Sequence, residues 1–344
     1  VAKTGLPGEA SGVFHTRERL ANTASYGTSY LIATSFGQTI KPTPIQLVTA
    51  ISAVVNGGYL LEPYVVSEIV DSEGNVVQQN ARTVVRQVIS EETSATMRQI
   101  IESVVTEGTA KNGSVVGYRI GGKTGSSETS EEDHTIVSFL GFAPADDPQV
   151  VVLVALDSPK RNSPGSNYTA SGTYISGGVM AAPTVARVME DILPYLGVEP
   201  DYSEVDMSRV TVRMPNLAGK TESEAAAILE EDHPNYKIIG DGKEVVQSVP
   251  AVGARIQKES GIVYLYTGTA TPSDTKTVPN LIGLTAAQAN YQITARRLNV
   301  RIEGAQNYDQ GSSAVVVAQS PAEGTMVSPG TVITIELRHM DGTD

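Results

Sequence analysis

Tyr118-Arg119-Ile120-Gly121-Gly122-Lys123-Thr124-Gly125-Ser126-Ser127 reads as a short strand, apolar at its edge, that runs into Lys-Thr-Gly and two serines. Glycines flank the lysine, which leaves bare backbone for a ligand to lie against. Lys123 brings a positive charge, and Thr124, Ser126 and Ser127 bring hydroxyls. Such a set can hold a carboxylate while backbone N–H groups face a carbonyl oxygen. The bland alternative is an exposed strand end with an incidental lysine. Lys-Thr-Gly is short enough to arise by chance in a chain of 344 residues, so its neighbours decide its meaning.

On both sides the pattern is that of an α+β domain. Thr43-Pro44 opens a helix whose apolar face is Ile45, Val48, Ile51, Val54 and Val55, and Asn56-Gly57-Gly58 stops it. Residues 59–89 read as strands and a hairpin turning at Ser72-Glu73-Gly74-Asn75. Ser90 caps a second helix, with Met97, Ile100, Ile101, Val104 and Val105 as its buried stripe. After the Lys123 strand come an acidic, solvated connection over 128–135, an apolar strand over Ile136–Ala143, and a buried strand over Val150–Leu156. Ala181, Val185, Val188, Met189 and Ile192 mark a closing helix that Pro194 and Gly197 end. Three strands with short connections pair antiparallel and need helices to cover their faces. Residues 1–40 are rich in Gly, Ser, Thr and Tyr and read as loops around short elements.

Composition narrows the function. A net charge of −13 disfavours nucleic acid and anionic membranes as partners. With no cysteine, disulfides, thiolate metal sites and cysteine nucleophiles are excluded. The four histidines (His15, His134, His233 and His339) show no metal-ligand spacing and read as surface or loop residues. The chain opens at Val1 inside what reads as running sequence, which suggests a piece of a longer protein.

The C-terminal third repeats itself. Met214-Pro215-Asn216-Leu217-Ala218-Gly219 matches Val278-Pro279-Asn280-Leu281-Ile282-Gly283. Each is followed by a capping box, Thr221 with Glu224 and Thr285 with Gln288. Each unit then has a Gln-Ser pair with a Pro-Ala-x-Gly turn (Gln247-Ser248 with Pro250–Gly253, Gln319-Ser320 with Pro321–Gly324) and ends in alternating β-formers. The pattern predicts two copies of a small domain with one helix against a three-stranded sheet.

These repeats resemble PASTA modules, the small domains of extracytoplasmic cell-wall proteins. What precedes them resembles the C-terminal half of the transpeptidase domain of class B penicillin-binding proteins. The likeness is carried by Leu6–Gly12, Ser35-Phe36-Gly37-Gln38, Pro42–Gln46, Asn56-Gly57-Gly58, Gly122–Ser126, Gly141–Pro148, Ser176-Gly177-Gly178 and Ala182-Pro183. The implied fold class is α+β: part of a penicillin-recognising domain, with an antiparallel sheet and packing helices, then two small α+β domains. The implied divisions are transpeptidase portion 1–198, linker 199–208, first PASTA domain 209–268, linker 269–276 and second PASTA domain 277–340.

The family works through Ser-x-x-Lys, Ser-x-Asn and Lys-Thr-Gly. No Ser-x-Asn occurs here, and the one Ser-x-x-Lys, Ser273-Asp274-Thr275-Lys276, lies between the repeats and reads as a chance match. The nucleophile is therefore expected before Val1. The resemblance gives Lys123 the substrate or β-lactam carboxylate, with Thr124 and Ser126 bonding it. It gives the Ser126 N–H one oxyanion-hole position, and Gly125 leaves the ligand room. Gly122 and Ser127 border the substrate, with Ser127 ordering the turn.

The implied activity is D,D-transpeptidation of peptidoglycan stem peptides through an acyl-serine, blocked by β-lactams and needing no metal or organic cofactor. The location would be outside the cytoplasmic membrane of a Gram-positive bacterium, anchored by an N-terminal segment. Muropeptides at the PASTA units and a membrane glycosyltransferase of the division machinery are the implied partners. Two repeats favour a division enzyme over a spore-cortex one. Two other classes compete: a muropeptide-binding regulatory protein with a non-catalytic scaffold, and a β-lactamase-type hydrolase.

Overall fold

The computed structural model describes residues 4–22, 27–128, 134–202, 209–230, 232, 235–305 and 313–339. The acidic run that reads as a solvated connection falls mostly on 129–133, outside them.

Two short helices, α1 (Arg17–Ala21) and α2 (Gly27–Ser35), precede α3 (Pro44–Val55). α3 starts where its sequence says. Gln46 N donates to Thr43 Oγ1 at 3.4 Å while Gln46 Oε1 accepts from Thr43 N at 2.9 Å, and proline occupies the first turn. Four short strands follow: β1 (Tyr59–Leu61), β2 (Glu68–Val70), β3 (Val76–Gln79) and β4 (Val84–Gln87). β1 pairs with β4, and β2 with β3. The β2–β3 turn is organised by Asp71, one residue before the predicted turn. Its carboxylate accepts from the N–H groups of Glu73 and Asn75, both at 2.9 Å.

α4 (Glu91–Thr106) is capped by Ser90 as expected. Its apolar stripe is narrower than the sequence suggests: Ile101 and Val105 are buried, whereas Ile100 is 54% exposed.

β5 (Gly121–Glu128), β6 (Thr135–Ala143) and β7 (Val150–Asp157) form an antiparallel sheet in that order. α5 (Ala182–Tyr195) covers one face, packing Val185 and Met189 against Phe139, Val152 and Val154. α3 and α4 cover the other, packing Val55 and Ile101 against Phe142 and Val151. β7 is less buried than its run of Val and Leu predicts, because it is an edge strand. Pro194 sits inside the last turn of α5 instead of ending it. Gly197, at φ +74°, closes the helix by donating to Pro194 O. One turn of π-helix, Gly177–Ala181, leads into α5, a feature without a periodicity of its own in the sequence.

The first repeat contains β8 (Thr211–Arg213), α6 (Glu222–Leu229), β9 (Asn235–Ile239), β10 (Val245–Val249), β11 (Arg255–Gln257) and β12 (Ile262–Thr267). The second contains β13 (Lys276–Thr277), α7 (Ala286–Thr294), β14 (Asn299–Gly304), β15 (Ala314–Ser320), β16 (Met326–Val327) and β17 (Val332–His339). Their three-stranded sheets correspond strand for strand, β9-β12-β10 and β14-β17-β15. Both capping boxes form. Leu217 and Leu281, Ala225 and Ala289, Leu229 and Ile293 occupy matching fully buried positions. Each repeat also has a second, two-stranded sheet (β8 with β11, β13 with β16), too short to be read from alternation.

Asn299 stitches the repeats together. Its amide accepts from Ile262 N at 2.8 Å and donates to Ile262 O at 2.9 Å and Gly330 O at 2.7 Å. A side chain thus supplies the pairing that a neighbouring strand would.

Both repeats dock on α5. Glu190 pairs with Arg255 of the first (3.1 Å) and Arg301 of the second (3.4 Å), while Arg187 reaches Glu303 (3.5 Å).

Candidate functional site

Lys123 lies on β5, an edge strand of its sheet among the described residues. Gly121 and Gly122 carry no side chain for a packing reason. A Cβ on Gly121 would lie 2.3 Å from the Phe142 ring, and one on Gly122 would lie 2.3 Å from the Phe139 ring. Aromatic rings therefore take the space that the sequence suggested was open to a ligand before the lysine.

Beyond Gly122 the strand alternates in burial. Lys123 is exposed, Thr124 is 8% exposed, and Ser126 and Ser127 are exposed. The lysine folds over its neighbour: Nζ donates to Thr124 O at 3.0 Å and Thr124 Oγ1 at 3.3 Å. Among the described residues no carboxylate pairs with it. The Thr124 hydroxyl also lies 3.1 Å from Thr109 Oγ1. A Cβ on Gly125 would meet only Ser138 Oγ, at 2.7 Å, a short side chain able to rotate away. So Lys123, Thr124 and Gly125 sit together, with Ser126 next along the strand. No cluster of three or more metal-ligating side chains occurs among the described residues.

Behind this strand stand residues that the sequence did not single out for a role. Ser176 caps the π-turn by accepting from Val179 N. Gly177 and Gly178 are pressed so close that a Cβ would lie 2.0 Å from Ser138 O and 2.0 Å from Thr109 O respectively. Single π-turns recur next to functional sites as devices for local geometry.

A cavity of about 220 Å³ lies elsewhere, where α5 meets both repeats. Tyr118, Arg187, Glu190, Tyr202, Arg255 and Glu303 line it, and none of residues 122–127 does. The Tyr118 hydroxyl donates to Val198 O at 3.1 Å. Burial, then the neighbouring Tyr202 and Glu199, push its pKa from 10.0 up to about 12. The unfolded chain ionises near pH 10 while the folded phenol stays neutral, so this contribution to stability is complete below pH 10 and lost between 10 and 12. Thermal melts from pH 8 to 12 should therefore show a steeper alkaline decline for the wild type than for Tyr118→Phe. Parallel declines would contradict the assignment.

The penicillin binding protein transpeptidase domain model matches residues 2–190. The chain belongs to that family. The PASTA domain model matches residues 212–269 and 276–338. Transpeptidase and PASTA domains together mark a class B penicillin-binding protein.

Stage V sporulation protein D of Bacillus subtilis is 40% identical over 277 residues, covering 76% of this chain and 40% of that protein. Penicillin-binding protein PbpB of Mycolicibacterium smegmatis is 31% identical, covering 47% of this chain and 26% of that protein. The chain thus spans well under half the length of either relative. The crystal structure of penicillin binding protein 3 from Mycobacterium tuberculosis, complexed with ampicillin, shares the fold. It has a TM-score of 0.50 and 23% identity, covering 60% of this chain and 45% of that one. The transpeptidase-like sheet with its packing helices, and the PASTA units after it, are the α+β arrangement expected from the sequence.

Proposed function

We propose that the protein containing this chain is a serine-type peptidoglycan D,D-transpeptidase and that β5 carries the third motif of its site. The observation that carries this reading is Lys123 on an edge strand, its ammonium on the Thr124 carbonyl and hydroxyl, with no carboxylate pairing it among the described residues. An ammonium so placed can receive a substrate carboxylate as a charge-assisted bond. Thr124 and Ser126 add hydroxyl contacts to it, and the Ser126 N–H is one of two oxyanion-hole donors. Gly125 leaves the ligand room, and Gly122 and Ser127 border the substrate.

The nucleophilic serine attacks the carbonyl between the two terminal D-alanines of a stem peptide. Its proton passes to the leaving amine, D-Ala departs, and an acyl-serine remains. An amine of a neighbouring stem peptide then attacks that ester, forming the cross-link and freeing the serine. A β-lactam acylates the same serine and lacks a rapidly departing leaving group. The serine and its lysine belong to the portion of the transpeptidase domain before Val1, so the 344-residue chain by itself is inactive.

The enzyme works outside the cytoplasmic membrane, held by an anchor that precedes this chain, a reading supported by its membership of the class B penicillin-binding proteins. Among the described residues no helix is long and apolar enough to cross a membrane. A Gram-positive source fits the relative of 40% identity. The relative's sporulation name sets a spore-cortex role beside the division role that two repeats favour. Muropeptide binding by the repeats and a membrane glycosyltransferase partner complete the reading. Incubating the full-length protein with a pentapeptide stem substrate and an amine acceptor should release D-Ala and yield cross-linked product. Release of neither would reject the function.

A further inference from the structure

The second PASTA repeat reaches the wall behind Lys123 through one buried side chain. Asn112 lies in a single turn of 3-10 helix, Lys111–Gly113, and is 3% exposed. Its Oδ1 accepts from the backbone N–H of His339, the last residue of β17, at 3.1 Å. Its Nδ2 donates to Gly178 O in the π-turn at 3.0 Å. An amide suits this place because it offers an acceptor and a donor at opposite sides of one planar group, and burial demands that both be used.

From Gly178 the contacts continue without a gap to the proposed site. A Cβ on Gly178 would lie 2.0 Å from Thr109 O and 3.5 Å from Thr124 Cγ2, so the π-turn backbone lies close against both residues. Thr109 Oγ1 is 3.1 Å from Thr124 Oγ1, which is 3.3 Å from Lys123 Nζ. The adjacent Gly177 is as tightly set, with a Cβ position 2.0 Å from Ser138 O and 3.1 Å from Gly125 O. The Lys-Thr-Gly strand is thus backed by a turn whose carbonyl is held by Asn112, and Asn112 is held by the second repeat.

We propose that Asn112 is a positioning residue through which the second PASTA repeat sets the placement of Lys123 and Thr124. The repeat is then part of the frame of the carboxylate site instead of a module tethered behind it. This rests on the transpeptidase reading, and the test separates the two.

The link from the repeat is a backbone N–H, so it can be removed without choosing between side chains. His339→Ala keeps it. His339→Pro deletes it at the last residue of β17, the central strand of its sheet, so folding of that variant is checked by its thermal transition. Asn112→Ala breaks the link from the other side. Saturation kinetics of fluorescent penicillin on the full-length protein separate non-covalent binding from the acylation step.

His339→Ala should acylate within about twofold of wild type. His339→Pro and Asn112→Ala should each lose about tenfold in acylation efficiency, seen mainly as weaker non-covalent binding, the size expected for one hydrogen bond. The double variant should be no worse than either single one, because both cut the same link. Acylation by His339→Pro equal to that of His339→Ala, or losses that multiply in the double variant, would overturn the proposal. If proline at 339 unfolds the repeat, seen as a lost thermal transition, Asn112→Ala decides alone: a wild-type rate refutes the proposal. Failure of the transpeptidase reading looks different, since the wild type would then not label at all.

Discussion

Lys123→Ala in the full-length protein should reduce acylation by fluorescent penicillin about 10- to 100-fold, the range for losing a charge-assisted hydrogen bond to a carboxylate. At short labelling times the band should vanish. Lys123 is exposed and makes no ion pair among the described residues, so the variant should melt within a few degrees of wild type. Lys123→Arg keeps the charge but replaces a compact ammonium with a planar fork, so recovery should be partial. Undiminished labelling by a folded Lys123→Ala protein would remove the carboxylate role from this strand.

The largest effect on stability is expected at Phe139. Its ring is fully buried on β6, in a nest of glycines: Cβ positions on Gly113, Gly122 and Gly141 would all lie within 3.1 Å of it. Phe139→Ala should cost about 3–5 kcal/mol, or roughly 10 °C in thermal midpoint for a domain of this size. Gly122→Ala approaches the same contact from the other side, driving a Cβ into the ring and toward Leu140 O at 2.7 Å. That overpacking should cost about 1–3 kcal/mol. Combining it with Phe139→Leu should recover part of the loss, because the two positions share one volume. Simple additivity, measured by thermal denaturation, would show that ring and glycine are independent.

These two residues also show what the sequence could and could not tell. That a strand carries Lys123 was legible from its glycines and flanking apolar residues, but its bounds were not: Tyr118–Ile120, read as its apolar edge, precede β5, which starts at Gly121 and runs through Lys-Thr-Gly to Glu128. The repeats were legible because a motif written twice identifies itself, down to both capping boxes. The reason for Gly121 and Gly122 was not legible. Bare backbone looks the same in a sequence whether a ligand or an aromatic ring covers it, and the rings sit 17 to 21 residues downstream. Ile100 fits the helical period of α4 yet faces solvent, since periodicity gives a face but not the width of what covers it.

The docking of both repeats on α5 was invisible for a related reason. Arg187, Glu190, Arg255, Arg301 and Glu303 read singly as solvated charges and become a joint only when three domains meet. The contact between Asn112 and His339 spans 227 positions, far beyond the reach of any local pattern.

Mapping the residue that penicillin acylates tests the central claim most directly. The full-length protein and the isolated 344-residue chain are labelled side by side, digested, and the modified peptide sequenced. The expected result is one acylated serine in the full-length protein, N-terminal to Val1, and no label on the isolated chain. A covalent adduct on any residue from 1 to 344 would contradict the assignment of β5 as the carboxylate-receiving part of a site whose nucleophile lies elsewhere.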